Sequence, residues 1–215
     1  MALIFDLARD SFTTIRDEGF GPFVNKASNF LRAVSGKPAN MTPVIPASRE
    51  IYRDVLFING CDESVPHPAR YRVTHQREQL EACRISTEQV YYVNLRLEQV
   101  RYYRTFIFFR CPYTDTIGEF IKLAKSMNKH VLFDIDDLVV DTKYTDTIKY
   151  LDGMTKAERE LYDDGVNRMG KTLKLCEAAI TTTERLAKEL SNYVPEVFIN
   201  RNVASEIMKY YSDEA

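Results

Sequence analysis

The chain is poor in the residues that usually announce a chemistry. It holds three histidines and four cysteines. The cysteines, Cys61, Cys83, Cys111 and Cys176, stand far apart, so no C-x-x-C pair and no Cys/His metal spacing forms. Thiols spaced in this way read as reduced and mostly buried, which fits a cytosolic protein. No apolar run is long enough to span a bilayer. The N-terminus lacks a basic region followed by an uninterrupted apolar core, so it does not read as a secretory signal. Formal net charge is only -2, and no global field points to nucleic acid. Internal repeats and low-complexity segments are missing too. What is present is ordinary: 215 residues, 45% hydrophobic and 28% charged. That supports one large domain, or one domain with an appendage. Thirteen Tyr and twelve Phe point to aromatic-rich packing.

Residues 1–36 carry apolar side chains at helical spacing: Leu3, Ile4, Leu7, Phe12 and Ile15, then Phe23, Val24, Ala27, Phe30, Leu31 and Val34. Gly19, Gly21 and Pro22 part the two runs, so a helical hairpin is expected as an appendage. Its charges are mixed, which weakens a membrane role, although residues 1–35 remain a candidate peripheral contact with the inner face of a membrane. Residues 37–50, rich in Pro, form a linker. From 51 to 215, strand and helix alternate. Strands are expected at Asp54–Asn59, Tyr91–Asn94, Thr105–Arg110, Val131–Asp136, Ala178–Thr182 and Val197–Asn200. Helices are expected over Val73–Cys83, Leu95–Arg104, a stretch ending at Met127, Thr145–Leu151, Lys156–Cys176, the Glu184 segment and the last residues from Ser205. Such alternation predicts an α/β fold, a Rossmann-like parallel sheet with helices on both faces.

The richest stretch is VLFDIDDLVVDT, Val131 to Thr142. Asp134, Asp136 and Asp137 crowd the carboxyl end of a strand, where a parallel sheet opens its ligand crevice. Acids crowded there repel one another and cost desolvation, so they usually serve chemistry, a metal or a polar ligand. One of them can equally cap the next turn. In a strand, Asp134 and Asp136 would face one way and Asp137 the other. The loop after the first strand carries Arg70, Arg72 and His75, which could meet a phosphate or simply pair with nearby acids. Thr182 and Thr183 open a helix and offer hydroxyls to an anion or sugar, or mere capping. Asn202, with Asn200 and Arg201, ends the last strand. His67 reads as structural and His130 as a surface residue. The aromatic-basic run from Tyr91 to Arg104 reads as packing rather than a nucleic-acid platform.

Two families resemble parts of this chain. VLFDIDDLVVDT resembles the first motif of the haloacid dehalogenase-like phosphohydrolases, with Asp134 as nucleophile, Asp136 as acid/base and Mg²⁺ between carboxylates and phosphate. That family's Thr falls here on Leu138, and its fold opens with this strand. From Asp54 to Glu206, an ordered set of pieces is similar to the amino-terminal half of bacterial group-1 glycosyltransferases, family 4-like with a GT-B fold. These pieces are VLFING, RYRVTHQREQL, IFFRCPYTDTI, KHVLFDIDDLV, AITTTERLAKEL and VFINRNVASE. This second resemblance implies one half of a two-domain enzyme of surface polysaccharide synthesis, transferring a hexose from a nucleotide-sugar to a glycan or lipid-linked acceptor. The acceptor would sit mainly on this half, with Asp136 and Asp137 catalytic and Asp134 structural. The nucleotide-sugar would be held by a carboxyl-terminal donor domain beyond Ala215, so this chain alone is not expected to turn over. No cofactor and no metal are implied, the nucleotide-sugar being a substrate. A third reading is a Rossmann-like module that binds without catalysis.

Overall fold

The computed structural model describes residues 52–61 and 66–213. The chain divides into two units between Glu50 and Ile51. The expected helical appendage and linker lie outside the described residues, all of which belong to the second unit.

Six strands form one sheet: β1 (Arg53–Asn59), β2 (Thr87–Tyr91), β3 (Tyr103–Phe109), β4 (His130–Asp134), β5 (Ala178–Thr181) and β6 (Glu196–Ile199). Every pairing is parallel and the order is β2-β1-β3-β4-β5-β6. The chain steps outward from β1 to β2, crosses back over β1 to β3, and then runs the other way. This is a doubly wound, Rossmann-like α/β sheet whose direction reverses between β1 and β3.

The sheet is apolar on both faces, because its strands are near-continuous hydrophobic runs. One face turns Val55, Phe57, Ile107, Phe109 and Ile180 toward Val73. Val73 belongs to helix α1, residues 66–82, in which α-helical Pro66–Ala69 and His75–Ala82 flank a π-helical turn, Arg70–Thr74. The opposite face turns Leu56, Ile58, Phe106, Phe108, Val131 and Phe133 toward α2 (Asp115–Ser126), α3 (Lys156–Leu175) and α4 (Glu184–Leu190). Phe106 and Phe108 both meet Phe120 of α2 edge-on. A last helix, α5 (Glu206–Asp213), follows β6. The helix starts are chemically marked. Thr114 accepts from the Ile117 amide, Thr155 forms a capping box with Glu158, and Thr183 accepts from the Leu186 amide.

The differences from the sequence expectation are local. β2 is Thr87–Tyr91 rather than Tyr91–Asn94. It is an edge strand, and the exposed polar pair Glu88 and Gln89, one on each face, hides it from hydrophobic patterning. The helix expected over Leu95–Arg104 shrinks to a 3₁₀ segment, Leu97–Tyr102. The Lys129 ammonium closes its end by donating to the carbonyls of Val100, Arg101 and Tyr103. Thr145–Leu151 resolves into a single turn, Thr142–Thr145, and a 3₁₀ segment, Lys149–Gly153. β4 stops at Asp134 instead of Asp136, and the chain bends across Asp136–Leu138. α3 holds the far end of that bend. A Cβ on its Gly170 would stand 2.0 Å from the Val140 carbonyl oxygen, so only glycine admits this approach.

Candidate functional site

The carboxyl ends of β1, β3 and β4 meet at the reversal point of the sheet, the usual ligand crevice of this topology. Gly60 leaves β1 and donates its amide to the Phe109 carbonyl at 2.8 Å. A Cβ at Gly60 would lie 2.2 Å from the Arg110 carbonyl oxygen, so the two strand ends touch backbone to backbone. Arg110 leaves β3 in the left-handed region with φ 44°, a conformation disfavoured for a non-glycine residue. Its amide donates to the Asp134 carbonyl at 3.1 Å. This strained backbone aims the guanidinium along the end of β4.

Arg110 Nε donates to Asp136 Oδ1 at 2.8 Å, and its Nη2 pairs with Asp136 and with Asp137. Strand alternation had predicted opposite faces for the two acids. Because β4 ends at Asp134, that alternation stops before them, and both turn to one cation. Asp136 is 19% exposed and Asp137 61%, so Asp137 is the carboxylate that solvent and ligands reach. Burial works to lower the Arg110 guanidinium, but Asp136 and Asp137 together hold it above its ordinary value. Cys61 and Tyr162 border the cluster. Burial raises the Cys61 thiol, with Arg110 pulling it down and Asp136 pushing it up. Burial also raises Tyr162, helped by Asp137 and Asp163 and opposed by Arg159 and Arg110.

A second cluster lies beneath, on the α1 face. Arg72 is fully buried. Its Nε donates to Asp134 Oδ1 at 2.9 Å and its Nη2 to Asp134 Oδ2 at 2.8 Å. Gln76 Nε2 adds a third bond to Oδ2 at 2.8 Å. The remaining arm of Arg72 reaches the segment after β6, donating from Nη1 to the Asn200 carbonyl at 2.6 Å and to Asn202 Oδ1 at 3.2 Å. His75, also buried, donates from Nδ1 to the Val203 carbonyl at 2.8 Å. Burial pushes the Asp134 carboxyl up to about 6, while Arg72 and Gln76 pull it back and Asp136 adds to the rise.

The structure takes Arg72 and His75 out of the solvated loop expected for them, and of the two readings open for Arg72 it shows the pairing with a nearby acid, Asp134. Both are inside the fold, and their bonds go to Asp134 and to the segment that follows β6. Asn202 joins them as an acceptor for Arg72. Arg70, two residues before Arg72, is exposed. Thr183 caps α4, and Thr182 is half-buried at the end of β5. Their neighbour Thr181 is fully buried, and its hydroxyl has no hydrogen-bond partner among the described residues. His130, at the start of β4, pairs with Glu177 at the surface, and His67 is exposed. Asp134 is fully buried with both carboxylate oxygens bonded. Gly60, Cys61, Arg110 and Tyr162 were not singled out from sequence. The one signal for Arg110 is a lone cation directly after the apolar run TFIFF, at the carboxyl end of a central strand.

Among the described residues, no group of three or more His, Cys, Asp or Glu is arranged to hold a metal ion, and no helix is long and apolar enough to cross a membrane. The chain matches no protein-family model and no curated protein sequence.

Proposed function

We propose that this chain is the acceptor-side half of a two-domain glycosyltransferase of the group-1 type. It would present a glycan or lipid-linked acceptor to a sugar carried by a nucleotide. One observation supports the reading most. The pair Asp136–Asp137, gathered by Arg110, stands at the carboxyl end of β4 beside the reversal point of the sheet. Two carboxylates against one guanidinium leave this cluster with a formal charge of -1. That suits hydroxyl groups, which donate hydrogen bonds to carboxylates, and it does not attract a bare phosphate.

Glycosyl transfer needs an acceptor hydroxyl that is oriented or deprotonated, and a leaving diphosphate that is neutralised. Asp137 is open enough to receive a hydroxyl, and Asp136 is held beside it by the same cation. Neutralising the leaving group falls to the donor domain of the resembled family, which makes that domain the partner this half requires. The activity belongs to the cytoplasmic face of surface polysaccharide synthesis in that family.

Saturation-transfer NMR on the full chain tests the proposal. The probes are neutral oligosaccharides, a lipid-linked saccharide diphosphate and nucleotide-sugars, and p-nitrophenyl phosphate with Mg²⁺ is run in parallel. The expected outcome is saccharide binding that weakens about tenfold in Asp137→Asn, the loss of one charge-assisted hydrogen bond, with no phosphate release. Phosphate release that disappears in Asp134→Asn would replace the proposal by a phosphohydrolase. Saccharide binding by none of the probes would favour a module that binds something else without catalysis.

A further inference from the structure

One continuous polar path joins the segment after β6 to the exposed acid pair. It runs from Asn200 and Asn202 to Arg72, from Arg72 to the Asp134 carboxylate, from the Asp134 carbonyl to the Arg110 amide, and from the Arg110 guanidinium to Asp136 and Asp137. Its middle, Arg72 and Asp134, is fully buried, while Asn202 and Asp137 at its ends are exposed. Residues 201–204 are themselves exposed and without regular structure. On the α1 side they are held by side chains rather than by a strand ladder. Arg72 takes the Asn200 carbonyl and Asn202, and His75 takes the Val203 carbonyl. On the sheet side, the Asn200 amide donates to the Thr181 carbonyl at 2.8 Å.

We infer that Arg72 is a positioning residue that couples residues 200–203 to the setting of Asp136 and Asp137, acting through Asp134 and Arg110. The physical ground is the fork of the guanidinium. A planar group with its donors in fixed directions cannot turn toward the segment without turning away from the carboxylate. Asp134 has no slack either, because both its oxygens accept from Arg72 and Oδ2 also accepts from Gln76. A close-packed interior of this kind moves between discrete arrangements rather than by smooth deformation. A displacement of 200–203 therefore re-aims Arg72, shifts the end of β4, and reaches Arg110 through its amide. By linkage the effect runs equally in the other direction. Arg72, Val73, His75 and Gln76 are all buried, so one face of α1 carries the bonds both to Asp134 and to the segment. The inference goes beyond the proposed function and holds whatever ligand the crevice takes.

The test perturbs one end and reads the other, using isotope-labelled full chain and NMR. Asn202→Ala and His75→Ala each loosen the segment and touch neither Asp134 nor Arg110 nor the acid pair. Expected results are a faster exchange of the Asn200 amide, a displaced Asp136 Cγ resonance and an Arg110 Nε–H that exchanges at least about fivefold faster, the lower end of ordinary coupling between sites. His75→Asn, whose amide nitrogen stands where Nδ1 stands, restores all three. In the reverse direction, Arg110→Lys accelerates exchange at Asn200. Because Asn202 is exposed, its variant keeps the fold even if His75→Ala does not, and the same criteria apply to it alone. The inference is overturned if the Arg110 and Asp136 signals of the segment variants superimpose on those of the wild type, whether or not Asn200 exchange has risen.

Discussion

Replacing Arg72 by Met strikes the fold at its most consequential polar contact. The side chain is fully buried and forms two bonds to Asp134, one to the Asn200 carbonyl and one to Asn202. Met fills much of the same volume but leaves the Asp134 carboxylate with Gln76 as its only side-chain donor among the described residues. Removing one partner of a buried ion pair costs about 3–5 kcal/mol, because the other charge stays desolvated without compensation. The loss must depend on pH, and its sign follows from Asp134. In the wild type, burial already lifts this carboxyl from an ordinary 3.8 to about 6, with Arg72 pulling against the rise. Without Arg72 it goes higher still. A carboxyl held higher in the folded than in the unfolded state contributes stability that is fully present below the unfolded value and is lost as pH rises through the folded one. The wild type completes that loss near pH 6, whereas the variant goes on losing stability above it. Its deficit is therefore larger at pH 8 than at pH 5, where Asp134 is neutral in both proteins. Urea unfolding followed by far-ultraviolet circular dichroism at the two pH values measures the difference. The double variant Arg72→Met/Asp134→Leu removes both charges and recovers most of the stability. A deficit equal at pH 5 and pH 8, or below about 1 kcal/mol at pH 8, would refute the reasoning.

Two further perturbations probe the strand ends. Gly60→Ala sets a methyl group against the Arg110 carbonyl, at a distance of 2.2 Å before any relaxation. It costs at least about 1–3 kcal/mol by overpacking, and it displaces the Arg110 Nε–H resonance, which NMR reads directly. Thr181→Val exchanges a buried hydroxyl that has no partner among the described residues for a methyl group of the same shape. It leaves the thermal midpoint unchanged or raises it by an amount equivalent to about 1 kcal/mol, and a fall of that size would show that the hydroxyl has a partner in solution.

The central strands were legible because each is an uninterrupted apolar run: VLFI in β1, FIFF in β3, VLF in β4 and AAI in β5. The edges were less even. β2, whose Glu88 and Gln89 are exposed, was expected four residues too late, whereas β6, expected at Val197–Asn200, stands at Glu196–Ile199 although Phe198 and Ile199 are nearly half exposed. α1 begins earlier than its hydrophobic spacing suggests, since a segment with Pro66 and Pro68 reads as a loop although proline is tolerated in a first helical turn. The same bias misplaced Arg72. An arginine in a proline-flanked segment reads as solvated, and only a partner 62 residues further along the chain makes it a core residue. The crowding of Asp136 and Asp137 was legible because it is local. Arg110 was not, because its role depends on a left-handed backbone and on the contact with Gly60, which no spacing reveals.

The run VLFDIDD therefore divides by geometry into one acid that holds the fold and two that turn to Arg110. A phosphohydrolase nucleophile needs an open carboxylate oxygen in line with phosphorus. Both oxygens of Asp134 accept from Arg72, one also accepts from Gln76, and the side chain is fully buried. A Mg²⁺ placed on that carboxylate would have to displace Arg72 and leave its charge buried without a partner. Two residues later the strand has ended, and the chain has turned enough for one guanidinium to gather Asp136 and Asp137 at the crevice. The acid that resembles a phosphatase nucleophile most closely is thus the one least able to act, and its burial fixes the strand end from which the other two project.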